Sequence, residues 1–465
     1  MTPRIRLVSA AALLAFPSIT SAQTRDPGRV QAAVDSIVAA ALAGGRVAGM
    51  SVAVVRGADT LVLKGYGRAD LELDVPTPPR AVYEIGSATK QFTAASILLL
   101  QEQGKLSLDD DITRFLPSYP TKGVHLTIRR LLDHTSGIKG YTELPEFGTI
   151  MSRSLPRDSL VVLFSTKPAD FAPGDAMVYN NSAFFLLGLV IEKASGQSYA
   201  DFVKKNLFDR AGMPDSRYCS VSDVVKRRAH GYDVGPNGLV LAAYIDQLWP
   251  YAAGSLCSTA WDLAAWVRAL HGGRILSPAS YRELITPGAL NDGTRLRYAK
   301  GLAVDTLGGH FAIQHGGDIP GFATEVDYFP ADSLTVVVLI NTEGPVRPNA
   351  IAQSIEQVVL GPPVVGAAVA FHGHTPDYVG EYRGVGRGRE AVIKIVGDSM
   401  ASGGLAIVRG TAKPRALIYV GGDSFELDAA PYAGRERLTF VRANGRITGV
   451  HDDATFGNVL LKRTP

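Results

Sequence analysis

The chain has 465 residues, a length that predicts two or three domains and excludes a single small one. It carries 47 lysines and arginines against 44 acidic residues, giving a formal net charge of +3. This near-neutral balance, without a basic run, gives no reason to expect a nucleic-acid partner.

Residues 1–22 have the pattern of a secretory signal peptide. Arg4 and Arg6 give a positive start, an apolar run follows at 8–16, and small residues predict cleavage near Ala22. The run is too short to cross a bilayer, and no later stretch is long and apolar enough. We therefore expect an exported mature chain, periplasmic or secreted, with no transmembrane segment. An uncleaved anchor is the alternative.

The first elements of the mature chain are predicted to be a helix and a β-hairpin. Residues 29–43 place apolar side chains at helical spacing, and Gly44-Gly45 ends the pattern. Two β-rich runs, 50–56 and 60–67, are joined by a short turn.

Ser87 and Lys90 lie three residues apart, just before an apolar run at 97–100. This predicts a helix that begins near Ser87 and carries both side chains on one face. Free N–H groups and the dipole at a helix N-terminus favour negative charge, which suits a hydroxyl that loses its proton. The S-x-x-K spacing is typical of a nucleophilic serine. A serine that only caps the helix is the alternative.

Two further patterns are interpreted as structural. Residues 106–116 contain three adjacent aspartates without EF-hand spacing, which predicts a solvated helix start rather than a calcium site. A second S-x-x-K copy, Ser136 to Lys139, is followed at once by Gly140 and is predicted to be loop.

Tyr179 and Asn181 follow a loop-rich segment, 138–175, and precede an apolar helix predicted at 183–194. Tyr179 therefore lies in the turn before a buried helix. Turns of this kind often hold functional side chains.

His315-Gly316-Gly317 follows a strand-like run at 311–314 and precedes two more, at 324–329 and 334–340. Helices are predicted on either side of this group of strands, at 259–270 and at 348–360.

Cys219 and Cys257 are the two cysteines of the chain. In an oxidising compartment we expect them to form one disulfide, closing a loop that stabilises the fold by about 3–4 kcal/mol. Two unrelated buried thiols are the alternative.

The C-terminal part of the chain changes character. Residues 361–376 are rich in glycine, proline and alanine and predict a linker. It contains His372 and His374, which have no companion at metal-ligand spacing. From 377 to 465, short runs separated by turn signals predict about eight strands in a small antiparallel barrel or sandwich.

Four short motifs occur in one order: Ser87-x-x-Lys90, His134-Thr135-Ser136-Gly137, Tyr179-x-Asn181 and His315-Gly316-Gly317. In this order the sequence resembles the penicillin-recognising serine hydrolases. It is most similar to the class C β-lactamase and D-alanyl-D-alanine carboxypeptidase-like branch, which includes esterases and D-aminopeptidases. The resemblance covers residues 28–360. The C-terminal region resembles the lipocalin-like barrel appended to some members.

The resemblance implies an α+β fold with two lobes: an antiparallel sheet flanked by helices, and an all-helical lobe. The active site would lie between them. It implies that Ser87 attacks a carbonyl and forms an acyl-enzyme with an ester, amide, D-amino-acid peptide or β-lactam. Lys90 and Tyr179 are both candidates for the base, and the two can titrate as a unit.

The resemblance also implies a substrate site lined by Asn181, His315, Gly317 and Asp318. The N–H groups of Ser87 and Asp318 would form the oxyanion hole. Asn181 would bond the substrate amide or orient Lys90.

The third motif departs from the family pattern, which often has lysine first and threonine or serine second. Histidine is largely neutral at pH 7, and Gly316 has no hydroxyl. These changes weaken the case for β-lactams and free-carboxylate peptides. A strand-end histidine without a catalytic task is the alternative for His315, and His134 is interpreted as structural.

A non-catalytic binding or sensing module, with the barrel as its ligand site, is the competing function. Intact Ser87, Lys90 and Tyr179 argue against it. We expect a small-molecule or peptide substrate, no cofactor and no metal, and we make no prediction of the oligomeric state.

Overall fold

The computed structural model describes residues 26–364, 369–399, 401–427, 434 and 436–464. The predicted signal peptide at 1–22 lies outside these residues, as does part of the predicted linker at 361–376. The domain boundaries inferred from the sequence stay predictions.

The helices of the described residues come mostly from the first 360 positions. They are α1 (Pro27–Ala43), α2 (Lys90–Glu102), α3 (Ile128–Leu132), α4 (Phe147–Ile150), α5 (Arg157–Ser165), α6 (Asn181–Ser195), α7 (Tyr199–Val203), α8 (Asp209–Ala211), α9 (Tyr251–Gly254), α10 (Ala260–His271), α11 (Pro278–Ile285) and α12 (Pro348–Leu360).

The strands fall into a large sheet, two small sheets and a C-terminal barrel. They are β1 (Gly49–Arg56), β2 (Asp59–Asp70), β3 (Val75–Pro76), β4 (Tyr83–Glu84), β5 (Met177–Val178), β6 (Arg217–Tyr218), β7 (Tyr232–Gly235), β8 (Gly238–Leu241), β9 (Leu256–Ser258), β10 (Ala303–Leu307), β11 (His310–Gln314), β12 (Gly317–Ile319), β13 (Phe322–Phe329), β14 (Leu334–Ile340), β15 (Thr342–Glu343), β16 (Gly380–Val385), β17 (Glu390–Gly397), β18 (Leu405–Arg409), β19 (Arg415–Gly421), β20 (Ser424–Leu427), β21 (Arg437–Ala443), β22 (Arg446–Ala454) and β23 (Gly457–Arg463).

The large sheet runs in the order β10-β11-β13-β14-β1-β2-β3, with β12 paired to β13. Its central pair, β1 and β14, is antiparallel, with Ala53 opposite Val337. Both strands are mostly apolar and almost wholly buried because both faces of the sheet are covered. On one face, α1 and α12 pack against Val52 and Val338.

The helical lobe packs against the other face through one large apolar cluster that includes Ala53 and Val337. Its central helix, α6, is almost wholly buried, capped by the Asn180 side chain at its start and by left-handed Gly196 at its end. Gly188 allows close packing, because a Cβ there would lie 2.4 Å from the Tyr251 ring.

The C-terminal strands form a closed antiparallel barrel, β16 to β23, in which β16 also pairs with β23. The barrel is joined to the rest of the fold by a ladder, because β23 pairs with β5, with Gly457 opposite Val178. Ala176 and Val178 belong to the apolar cluster of the barrel. The wall of the barrel therefore continues into the segment that precedes Tyr179.

The predicted fold class, α+β with a small antiparallel barrel, is confirmed. The loop-rich segment 138–175 contains the helix α5 (Arg157–Ser165), which was not predicted. The helix start predicted at 106–116 is a short 3-10 turn, Ile112–Arg114, capped by the Asp111 side chain. Within the described ranges, no helix combines the length and apolarity that a membrane crossing requires.

Cys219 and Cys257 are joined in a disulfide. It links the segment after β6 to β9, and β9 pairs with β4, the strand that leads to Ser87. The disulfide therefore anchors the strands behind the Ser87 turn.

We expect the Cys219→Ser/Cys257→Ser variant to lose about 3–4 kcal/mol of unfolding free energy, because the disulfide restricts the unfolded chain over 38 residues. Urea unfolding followed by circular dichroism measures the loss. Val224→Ser, at a 96% exposed position of the same loop, is the matched control. Two titratable thiols in denatured, non-reduced wild-type protein would contradict the disulfide.

Candidate active site

Ser87 lies in a 3-10 turn, Gly86–Thr89, that runs directly into α2. The α-helix itself begins at Lys90, one turn later than the sequence predicts. Gly86 has a φ of 51°, and a Cβ there would lie 2.8 Å from the carbonyl oxygen of Asp318. Only glycine allows this close approach between the Ser87 turn and β12.

Lys90 is fully buried, and its ammonium makes three hydrogen bonds. Nζ donates to Ser87 Oγ at 3.0 Å, to Asn181 Oδ1 at 2.8 Å and to the Ala253 carbonyl at 2.9 Å. Burial lowers the pKa of Lys90 well below its usual value, and the charge of Arg387 lowers it further. The amine is therefore both in contact with the hydroxyl and easier to deprotonate than a solvated lysine.

Tyr179 lies beside the Lys90 amine, with Lys90 Nζ 4.6 Å from the centroid of the Tyr179 ring. Burial raises the pKa of the Tyr179 phenol, while the Ser87 hydroxyl and the Arg387 guanidinium oppose the rise. The approach of the two hydroxyls falls outside hydrogen-bonding geometry, and among the described residues the phenol oxygen has no hydrogen-bond partner. The raised pKa favours the protonated phenol, whose oxygen is left unpaired among the described side chains.

Asn181 is the first residue of α6, and its amide is held at both ends. Its Oδ1 accepts from Lys90, and its Nδ2 donates to Thr142 Oγ1 at 3.3 Å. The Asn181 side chain thus connects the Lys90 amine to the Thr142 hydroxyl.

Gly317 and Asp318 begin β12, which lies against the Ser87 turn. A Cβ on Gly317 would lie 2.1 Å from the Ile85 carbonyl oxygen and 2.8 Å from Ser87 N. The Asp318 carboxylate is exposed and forms an ion pair with Arg347 at 2.6 Å. The backbone of β12 is therefore the part of this motif that borders Ser87.

His315 is buried beside the site, and both of its ring nitrogens bond within the protein. Nδ1 lies 2.6 Å from the Gly316 carbonyl oxygen and so carries the proton, and Nε2 accepts from the Tyr298 hydroxyl at 2.9 Å. Burial and the nearby charge of Lys90 lower the pKa of His315 to about 3. The imidazole is neutral and presents its ring, not a charge, to Tyr179.

His134 supports the Tyr179 segment from behind. Its Nδ1 accepts the Asn180 N–H at 3.1 Å, its carbonyl accepts the Val178 N–H, and its ring centroid is 4.4 Å from that of Tyr179. Burial lowers the pKa of His134 well below its usual value. These contacts agree with the structural role inferred for it.

Two side chains near the site come from the barrel. Arg387, in the turn between β16 and β17, has its guanidinium carbon 5.4 Å from the Tyr179 ring centroid. Phe456, in the turn between β22 and β23, contacts the Tyr179 and His315 rings, with centroids at 5.5 and 5.6 Å. The sequence places both in hairpin turns but carries no signal for which turns face Tyr179.

Possible metal ligands lie elsewhere. Within the described ranges, the one group of three ligand atoms at metal-binding distance is Asp70, Glu72 and His230, and two of these residues are exposed. His374, in the predicted linker, instead bonds Asp377 at 3.0 Å.

Comparison with known proteins gives one consistent result. The family model described as Beta-lactamase matches residues 34–359. Penicillin-binding protein 4* of Bacillus subtilis is 30% identical over 331 residues, covering 67% of this chain and 72% of that protein.

Solved structures show the same likeness. A D-stereospecific amidohydrolase from Streptomyces sp. matches with a TM-score of 0.62 and 26% identity, covering 71% of this chain and 99% of that one. The octameric penicillin-binding protein homologue from Pyrococcus abyssi matches with a TM-score of 0.63 and 24% identity, covering 94% of this chain and 100% of that one. Because it covers 94% of this chain, the second match includes the barrel as well as the hydrolase part of the fold.

If the Asp318 N–H is an oxyanion donor, as the family resemblance implies, Gly317→Ala should reduce the rate of fluorophosphonate labelling of Ser87 on the order of 100-fold, the effect of losing one such donor. The added methyl group would push β12 away from Ile85 and Ser87. Gly316→Ala is the matched control, because its Cβ would meet the Glu325 side chain at 2.9 Å rather than the Ser87 turn. Equal losses of labelling rate in the two variants would contradict the prediction that the Asp318 N–H is an oxyanion donor.

Proposed function

Because the chain belongs to the beta-lactamase family of penicillin-recognising serine hydrolases, we propose that Ser87 is its nucleophile and forms an acyl-enzyme. The substrate would be an ester, amide, D-amino-acid peptide or β-lactam. The observation that carries this proposal is the 3.0 Å hydrogen bond between Ser87 Oγ and the fully buried Lys90 amine.

In the first step, the Ser87 hydroxyl proton passes to a base while Oγ attacks the substrate carbonyl carbon. The environment favours Lys90 over Tyr179 as this base. Burial makes the charged form of each group costly, so it favours a neutral amine and a protonated phenol. Tyr179 is then placed to donate its proton to the leaving group and to recover it from the Lys90 ammonium or from solvent.

The carbonyl oxygen becomes an oxyanion as the new bond forms. We assign the N–H groups of Ser87 and Asp318 to its stabilisation, because Gly86 and Gly317 bring these two backbone segments into contact. Collapse of the tetrahedral intermediate breaks the bond to the leaving group. Water then hydrolyses the acyl-enzyme by the reverse proton transfers and returns Ser87 to its hydroxyl form.

The surroundings favour an uncharged acyl group. His315 is neutral and bonded to Tyr298 and Gly316, so it offers no cation to a substrate carboxylate. The nearby Arg387 guanidinium is already paired with the Glu143 carboxylate. Tyr179 and Phe456 add aromatic surface. Similar proteins include a penicillin-binding protein and a D-stereospecific amidohydrolase, which supports D-configured amides or peptides as one substrate class.

We also propose that the protein is exported. The disulfide is compatible with an oxidising compartment, and the N-terminal sequence has the pattern of a signal peptide. We therefore propose that the hydrolase acts in the periplasm or outside the cell.

A binding or sensing module remains the competing proposal, with the barrel as its ligand site. A binding function does not explain why the fully buried Lys90 amine lies within hydrogen-bonding distance of the Ser87 hydroxyl. Burying a lysine amine away from water is costly, and a module that only binds a ligand gains nothing from it.

We expect Ser87→Ala to abolish both fluorophosphonate labelling and hydrolysis of p-nitrophenyl butyrate by the purified mature protein. Ser136→Ala is the matched control, because it belongs to the second S-x-x-K copy, whose Lys139 pairs with Asp170 instead. Ser136→Ala should keep both activities near wild-type levels. Labelling that survives in Ser87→Ala would reject Ser87 as the nucleophile, and absence of both activities in wild type would favour the binding module.

We also expect kcat/KM for p-nitrophenyl butyrate to exceed that for nitrocefin by at least about tenfold. The reason is the missing cation at His315, since a hydrogen bond to a charged group contributes about 1.5–3 kcal/mol. Ser87→Ala supplies the background rate for both substrates. Turnover of nitrocefin at an equal or higher efficiency would contradict the inferred preference for uncharged substrates.

A further inference from the structure

The turn between β16 and β17 extends from the barrel onto the hydrolase lobe beside Tyr179. There Arg387 Nε donates to Glu143 Oε1 at 2.5 Å, and its terminal nitrogen donates to Thr142 Oγ1 at 3.4 Å. Glu143 and Thr142 belong to a 3-10 turn of the hydrolase lobe, Tyr141–Glu143. A charge from the barrel therefore meets a counter-charge from the lobe that holds Asn181.

The hydrogen bonds continue from this pair to the proposed base. Thr142 donates its own proton to Glu143 Oε1 at 2.8 Å and accepts from Asn181 Nδ2 at 3.3 Å. Asn181 in turn accepts from Lys90. An unbroken chain of five side chains thus connects the barrel turn to the amine beside Ser87, and its donors and acceptors match at every step.

Burial makes the pair more than a surface contact. The Glu143 side chain is only 10% exposed, and that of Arg387 is 49% exposed. A carboxylate with so little access to water depends on a partner, and the geometry gives Glu143 this one from the barrel. Arg387 also lies against the Tyr179 ring, where the aromatic face attracts a cation.

We propose that Arg387, with Glu143 as its counter-ion, is a positioning residue that the barrel supplies to the active site. The pair orients Asn181 through Thr142 and sets the electrostatic field at Lys90 and Tyr179. This inference rests on the proposed function, because it concerns the reactivity of Ser87.

The charges of the pair act on the proposed base with opposite signs. The Arg387 cation lowers the pKa of Lys90 and of Tyr179, whereas the Glu143 anion raises the pKa of Lys90. The other titratable groups that face Lys90 and Tyr179 contribute less charge. His134 and His315 have lowered pKa values and are neutral. Asp318, which raises the pKa of Tyr179, is paired with Arg347.

The experiment is the pH dependence of kcat/KM for p-nitrophenyl butyrate and of the fluorophosphonate labelling rate, on the full mature chain. For Arg387→Gln, we expect the midpoint of the acid limb to move up by on the order of half a pH unit, because the base loses a repelling cation. For Glu143→Gln, we expect a move in the opposite direction if Lys90 is the base. If Tyr179 is the base, only Arg387→Gln should move it.

Opposite shifts separate an electrostatic role from a merely structural one, because loss of a structural contact would affect both variants alike. Arg389→Gln, an exposed arginine two residues away in the same turn, is the matched control and should leave the midpoint unchanged. Arg387→Lys keeps the charge and should restore the midpoint in part.

An unchanged midpoint in Arg387→Gln, or an equal shift in Arg389→Gln, would overturn the inference while leaving the proposed function intact. Wild-type protein that neither labels nor hydrolyses the ester would instead reject the proposed function itself. The two failures are therefore distinguishable in the same set of measurements.

Discussion

The buried Lys90 amine needs three hydrogen-bond partners in either protonation state, and this requirement organises the active site. The partners of Lys90 come from three separate elements: the Ser87 turn, the start of α6 and the short helix α9. Without these bonds, removing the charge from water would cost several kcal/mol. The same burial that creates this demand also makes the amine easier to deprotonate, so the structural constraint and the proposed chemistry have one cause.

Much of the fold was predictable because the apolar pattern of each segment in the sequence matches the burial of that segment in the structure. The strands β1 and β14 are mostly apolar, and α12 was predicted with its observed bounds. The helix α5 was not predicted because it is short and lies within a loop-rich segment. Its buried residues Leu160 and Phe164 nevertheless have the helical spacing of i and i+4. Asp111 caps a short 3-10 turn and Asp109 pairs with Arg129, so no α-helix begins at these aspartates. Only the three-dimensional path of the chain decides between these outcomes.

The predicted site residues meet around Ser87, but their environments could not be inferred from sequence. The sequence gives no sign that Tyr298, seventeen residues earlier in the chain, bonds the His315 ring. Nor could it identify Arg387 and Phe456, because a hairpin turn reaches Tyr179 only if the barrel docks in one orientation. That orientation is fixed by the pairing of β23 with β5, a contact between segments about 280 residues apart.

The shared ladder between β5 and β23 bears on how this protein can be divided. A chain cut in the linker would leave β5 as a bare edge and uncover Ala176 and Val178, the second of which directly precedes Tyr179. The barrel is thus no detachable accessory, and grafting another module in its place would have to supply a replacement strand. In protein engineering, the natural unit of exchange is the barrel together with its docking strand.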